Sequence, residues 1–180
     1  MRADAQRNRA RVLAVAAEIF ASEGLSVPVH EIARRAGVGT GTVSRHFPTK
    51  EDLFAAVLLE RMKELSEQAD ALTGSPGAFF TFFATLVREA AANRGLAEAL
   101  GGAGFDVEAA AAQAGYDVTA RLNALLASAQ ESGEVRPDIT YPDVKALMAG
   151  CLSADLSDPA TLDRLVAVVS GGLRGTARDS

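Results

Sequence analysis

The chain has 180 residues, of which 48% are hydrophobic, and a formal net charge of −5. That length can bury a sizeable core as one domain or two small ones, and with no run of about 18 apolar residues it is not expected to span a membrane. The single cysteine, Cys151, excludes an intramolecular disulfide and leaves no cysteine metal cluster.

The start, MRADAQRNRARV, is charged and has no apolar stretch behind it, so no secretory signal is expected, and a cytoplasmic location is the simplest expectation. The first predicted helix covers roughly 4–23. It turns Val12, Leu13, Ala16, Ile19 and Phe20 inward and stops at Gly24. In the next segment Val29, Ile32, Ala33 and Ala36 recur at helical spacing, and Gly37 follows where a helix end favours positive φ. Val43 and Phe47, four apart, fasten a short further helix. Pro48 biases Phe47 out of helical geometry and ends it. Thr40, Gly41, Thr42, Ser44, Arg45 and His46 are left facing outward. Two short helices around a glycine turn make a helix-turn-helix, whose commonest use is reading DNA.

Thr49 and Asp52 have the spacing that caps a fourth helix, expected to run to about 71. Residues 73–77 read as a linker, with Ser75 and Pro76 as N-cap and first residue of a fifth helix. Gly101, Gly102 and Gly104 break the chain. One long helix is expected over roughly 106–131, ended by Gly133. Thr140, Pro142 and Asp143 start another near 141–153, and Asp158-Pro159 starts the last, with residues 174–180 frayed. No strand pattern or internal repeat stands out. The expected fold is all-α: a three-helix helix-turn-helix head, then an antiparallel helical body, about nine helices in all. Residues 1–50 form the head and 51–180 the body.

The stretch IARRAGVGTGTVSRHFPTKEDLF, with EIFASEGL at 18–25 before it, closely resembles the signature of TetR-type bacterial transcriptional regulators. The resemblance is specific over residues 8–60. It implies a homodimer on a palindromic operator in double-stranded DNA, and a small-molecule effector bound by the body. His46 and Lys50 match the family's phosphate-contact positions, and His30 opens the second helix where the family often touches DNA. One departure is Ser44. The family often carries Tyr there as a phosphate contact, and serine reaches less far.

Charge divides along the same line. Residues 1–50 hold eight Lys or Arg against four Asp or Glu, for +4, and residues 51–180 carry −9. A basic head on an acidic body is the asymmetry expected when only the head meets phosphate. Arg7, Arg9 and Arg11, with Arg2 before them, stand where N-terminal arms reach flanking phosphates; an ordinary solvated terminus is the alternative. Arg34 and Arg35 read as solvent-facing. Thr40 and Thr42 offer methyl and hydroxyl groups to base edges, and only Arg45 can make a bidentate guanine contact.

In the body, Phe79, Phe80, Phe82 and Phe83, with Leu86 and Val87, share one helical face. They form either a core face or the wall of an apolar cavity, to which Met62, Tyr116, Gln113, Asn123 and Cys151 could add contacts. Leu162, Leu165, Val166, Val169 and Leu173 make an apolar stripe, with Val168 off it, and Val144, Leu147, Met148 and Cys151 a matching one. The resemblance implies that these two helices pair with their twins, and burial in the monomer's own core is the alternative. Dimerisation has independent support, since one short recognition helix reads too few bases. Neither a nucleophile–base pair nor a metal set is present, so no enzyme activity, metal or cofactor is expected. The function implied is a ligand-responsive repressor; a regulator of the same fold without a small-molecule inducer, answering to a protein partner or constitutive, is the alternative.

Overall fold

Helix follows helix from the first residues onward. In this computed structural model, which describes residues 2–154 and 158–175, the elements are α1 (Arg2–Glu23), α2 (Val29–Arg35), α3 (Thr40–His46), α4 (Lys50–Leu72), α5 (Ala78–Ala92), α6 (Arg94–Gly102), α7 (Val107–Gln113), α8 (Val118–Glu131), α9 (Tyr141–Leu152) and α10 (Pro159–Leu173). Among the described residues no strand forms, and Val135 and Arg174 make an isolated antiparallel bridge. The all-α expectation holds, with ten helices among the described residues where about nine were expected.

The ends of the elements follow local chemistry. Gly24 and Gly37 take φ of 83° and 65° and close α1 and α2. The Thr49 hydroxyl accepts from the Asp52 amide at 3.0 Å while the Asp52 carboxylate accepts from the Thr49 amide at 2.9 Å, a reciprocal cap on α4. Thr140 and Asp143 repeat that device on α9. Asp158 accepts from the Ala160 amide at the start of α10.

Three expectations fail for local reasons. The helix expected over 106–131 is broken. Gly115, at φ 87°, closes α7 as the Tyr116 amide bonds back to the Ala111 carbonyl, and Asp117 caps α8. Ser75 and Pro76 do not open a helix. Gly74 and Gly77 both take positive φ and form turns there, so α5 starts at Ala78. The Gly77 amide then donates to the Glu134 carboxylate, 57 residues away, at 3.1 and 3.3 Å. Arg174 and Gly175 are not frayed: the Gly175 amide donates to the Glu134 carbonyl, and the Arg174 guanidinium lies 4.5 Å from the Phe80 ring centroid. Residues 176–180 lie outside the described residues.

The chain forms two units that interleave in sequence: Met1–Glu64 with Ala92–Tyr116, and Leu65–Ala91 with Asp117–Ser180. In the first, Val12, Leu13, Ala16, Ile19 and Phe20 of α1 pack with Ile32 and Ala33 of α2, Val43 of α3 and Leu53, Phe54 and Val57 of α4. Phe20 and Phe54 meet edge to face at 4.9 Å. Leu96 and Leu100 of α6 are buried in the same cluster. In the second unit Phe79, Phe80, Phe82, Phe83, Leu86 and Val87 of α5 are all buried, as are Leu122, Leu125 and Leu126 of α8. Arg121 pairs with Asp70 and Arg88 with Asp163 on its surface.

Candidate nucleic-acid interface

The turn between α2 and α3 is set by three backbone facts. The Val38 amide reaches back to the Ala33 carbonyl at 3.0 Å and the Gly37 amide to the Arg34 carbonyl at 3.2 Å, a closure that needs the positive φ of Gly37. Gly39 is extended, at φ −70° and ψ 144°, and starts α3. Buried Ile32, Ala33, Ala36, Val43 and Phe47 then hold α2 and α3 against α1. With one face of α3 so fixed, Thr40, Gly41, Ser44 and Arg45 are exposed, and Thr42 and His46 are half-buried at its flanks.

The head's other candidate cations lie on α1, α2 and α4. Arg7, Arg9 and Arg11 are exposed on α1, His30 is exposed on α2, and Lys50 is half-buried at the start of α4. Arg7 pairs with Asp4. The Arg9 guanidinium lies 5.5 Å from the Phe47 ring centroid and the Lys50 ammonium 5.8 Å from that of Phe54. Both are held over rings of the head's core with their charge still accessible. The side chain of Arg2 lies outside the described residues.

Arg34 and Arg35 are less free than a solvent-facing reading implies. Arg34 donates to Glu31 at 2.7 and 2.8 Å. Arg35 donates to Glu31 at 2.7 Å and pairs with Glu23 at the end of α1. Hydrogen bonds from Arg34 and then Arg35 lower the Glu31 carboxyl to a pKa of about 2. A depressed carboxyl pKa means this link is intact above about pH 4.5 and is lost as pH falls toward 2. The Glu31-to-Arg34 and Glu31-to-Arg35 spacings were visible in sequence; the reach to Glu23 needed the fold.

The body's candidates separate. Phe79, Phe82 and Phe83 have no exposed surface, Leu86 and Cys151 are also buried in the second unit, and Met62 and Tyr116 are half-buried in the first. Burial pushes the Cys151 thiol pKa up, which keeps it protonated and unreactive. A cavity of about 30 Å³, room for roughly one water, lies beside Phe79 between Ser75, Ser128, Ser132 and Glu134. The hydroxyl of Ser66 on α4 is 1% exposed and has no hydrogen-bond partner among the described residues. Of the two stripes, Val144, Val166 and Leu173 are buried within the chain, while Leu147, Met148, Leu162, Leu165 and Val169 are half-buried. Val168 is 73% exposed. No helix among the described residues is long and apolar enough to cross a membrane.

Comparison with known proteins agrees with this geometry. Residues 12–57 match the model of bacterial regulatory proteins of the tetR family, and residues 75–175 match that of the SbtR-like transcriptional regulator C-terminal domain. The crystal structure of a TetR transcription regulatory protein from Mycobacterium vanbaalenii is 47% identical, covers 96% of this chain and 98% of its own, and superposes with a TM-score of 0.76. A TetR transcriptional regulator from Streptomyces coelicolor is 33% identical over 94% of this chain and 99% of its own, also at 0.76. An HTH-type transcriptional regulator of Staphylococcus aureus is 43% identical over 54 residues, so the match spans 29% of this chain and 29% of that curated relative. With a head model and a body model both matched, and a solved relative aligned along nearly its whole length, the chain belongs to the TetR family of DNA-binding transcriptional regulators.

Proposed function

We propose that the protein is a ligand-responsive repressor. As a cytoplasmic homodimer it holds a palindromic operator through residues 1–50, and it releases that operator when a small apolar molecule binds within residues 51–180. The exposed face of α3 carries the reading. Thr40, Gly41, Ser44 and Arg45 stand out opposite the buried Val43 and Phe47, and Arg7, Arg9, Arg11, His30, His46 and Lys50 are the residues proposed to hold phosphate. Sequencing the genomic fragments that the purified protein retains tests it. Expected is an inverted repeat with half-sites one helical turn, or a multiple of it, apart; a pool without enrichment rejects the reading.

Salt gives a second test, since each neutralised phosphate contributes about −0.9 to the slope of log affinity against log salt. Lys50→Ala should weaken binding to all sequences alike and flatten that slope by roughly one unit. An unchanged slope removes Lys50 from the phosphate contacts.

Ser66 supports the ligand response. An unpaired buried hydroxyl costs about 1–3 kcal/mol, and a polar group of an effector would relieve that cost. Ser66→Ala should leave the free protein equally or more heat-stable and weaken the thermal shift given by an effector. A lower melting temperature without effector would show that the hydroxyl already has a structural use. The alternative, a regulator of this fold without a small-molecule inducer, draws on the four α5 rings, which are only 0–8% exposed.

A further inference from the structure

Gly41 is the second residue of α3, and nothing in the chain's own fold asks for a glycine there. Its φ is not positive, unlike that of Gly37 in the preceding turn. A Cβ built on it meets nothing within 4 Å. Glycine in a helix loses more backbone entropy than alanine does, so the missing side chain makes room for something outside the chain.

Arg45, one turn further on, stands on the same line of the helix. At about 100° per residue it lies roughly 200° from Val43 and 160° from Phe47, opposite the two residues that bury α3. It is exposed, and among the described residues it has no hydrogen bond or ion pair. Its cationic neighbours are engaged differently: Arg34 and Arg35 are tied to carboxylates and Arg9 lies over Phe47. The outermost line of α3 is thus a bare backbone position followed by an uncommitted guanidinium.

A helix with its side chains is about 10–12 Å across, and the major groove is about 12 Å wide and 8.5 Å deep. The fit is close, so a side chain removed from the leading line lets the helix sit deeper. Thr40, Thr42 and Ser44 are too short to offer two parallel donors, which the planar guanidinium can aim at O6 and N7 of guanine.

We infer that each operator half-site contains a guanine read by Arg45, and that Gly41 sets the depth at which α3 seats to allow it. The inference rests on the DNA-binding reading above. The test uses the full-length protein and the duplex recovered from genomic selection. Gly41→Ala should melt no lower than the parent protein, and up to about 2–4 °C higher, yet bind the operator at least about tenfold more weakly. Gly41→Leu should lose more. Arg45→Ala should lose about 10- to 100-fold on the operator and little on random duplex. Arg45→Lys, which keeps the charge but not the fork, should lose discrimination as well. Replacing one guanine of the half-site should weaken the parent protein by the same factor and leave Arg45→Ala unaffected.

A Gly41→Ala protein that binds like the parent overturns the seating role. One that melts lower shows the glycine to be structural and overturns it too. Equal losses by Arg45→Ala on operator and random duplex make Arg45 a phosphate holder and overturn the guanine contact. Failure of the parent protein to select any duplex is a different result, which removes the DNA-binding reading itself.

Discussion

Val168→Glu should give a folded chain that sediments as a monomer and no longer holds operator at ordinary concentrations. Within the protomer Val168 is 73% exposed, so a carboxylate there meets water and changes stability by less than about 0.5 kcal/mol. In an apolar dimer interface the same carboxylate is buried without a partner, at a cost of about 3–5 kcal/mol. At 1.4 kcal/mol per tenfold, the dimer dissociation constant rises by roughly 10²–10⁴. Half-buried Leu162, Leu165 and Val169 beside it supply the rest of the proposed contact. Val166→Glu is the control. Val166 is buried in the chain itself, so that variant should unfold whatever the oligomeric state. A dimeric Val168→Glu protein that binds operator would place the interface elsewhere.

The structure sorts a stripe that sequence could only outline. Helical spacing puts Val166 and Val169 on one side of α10, but which of them a neighbour covers depends on α9, which packs against α10. Val144 of α9 is buried and Leu147 and Met148 are half-covered. The residue left most open, Val168, is the one that periodicity set aside.

The head was legible because its signals are local. Gly37 and Pro48 bound the motif, Thr49 and Asp52 cap the next helix, and the apolar spacing of Val29 to Ala36 and of Val43 to Phe47 fixes which sides are buried. Each is a matter of four or five neighbouring residues. The reach of Arg35 to Glu23 and the burial of Leu96 and Leu100 among head residues were not legible, since both join segments far apart in sequence. The break at Gly115 was legible in principle. The alanine run before it favours helix strongly enough to hide a glycine followed two residues later by Asp117, which is the pairing of a helix stop with a helix start.

The four phenylalanines of α5 pose the question that sequence left open, whether they are core or cavity wall. Phe79 lies edge to face with Phe80 at 5.3 Å and tilted toward Phe83 at 6.2 Å, and Phe82 has no exposed surface. If Phe82 is core, Phe82→Ala removes a buried ring and leaves a void, at a cost of about 3–5 kcal/mol. For a chain of this size that lowers the melting temperature by roughly 6–20 °C, a large share of the 5–15 kcal/mol that holds an ordinary domain. Met62→Ala, at a half-buried position, should cost distinctly less. A ring walling a cavity that empties and fills behaves otherwise. Its removal would barely shift the melting point of the free protein, but it would change which apolar molecules raise that point, because stabilisation by a ligand grows with its concentration over its dissociation constant. Thermal melts of the parent, Phe82→Ala and Met62→Ala proteins, with and without a panel of small apolar compounds, separate the two. A Phe82→Ala protein that melts within about 2 °C of the parent would make the ring a wall and not a support.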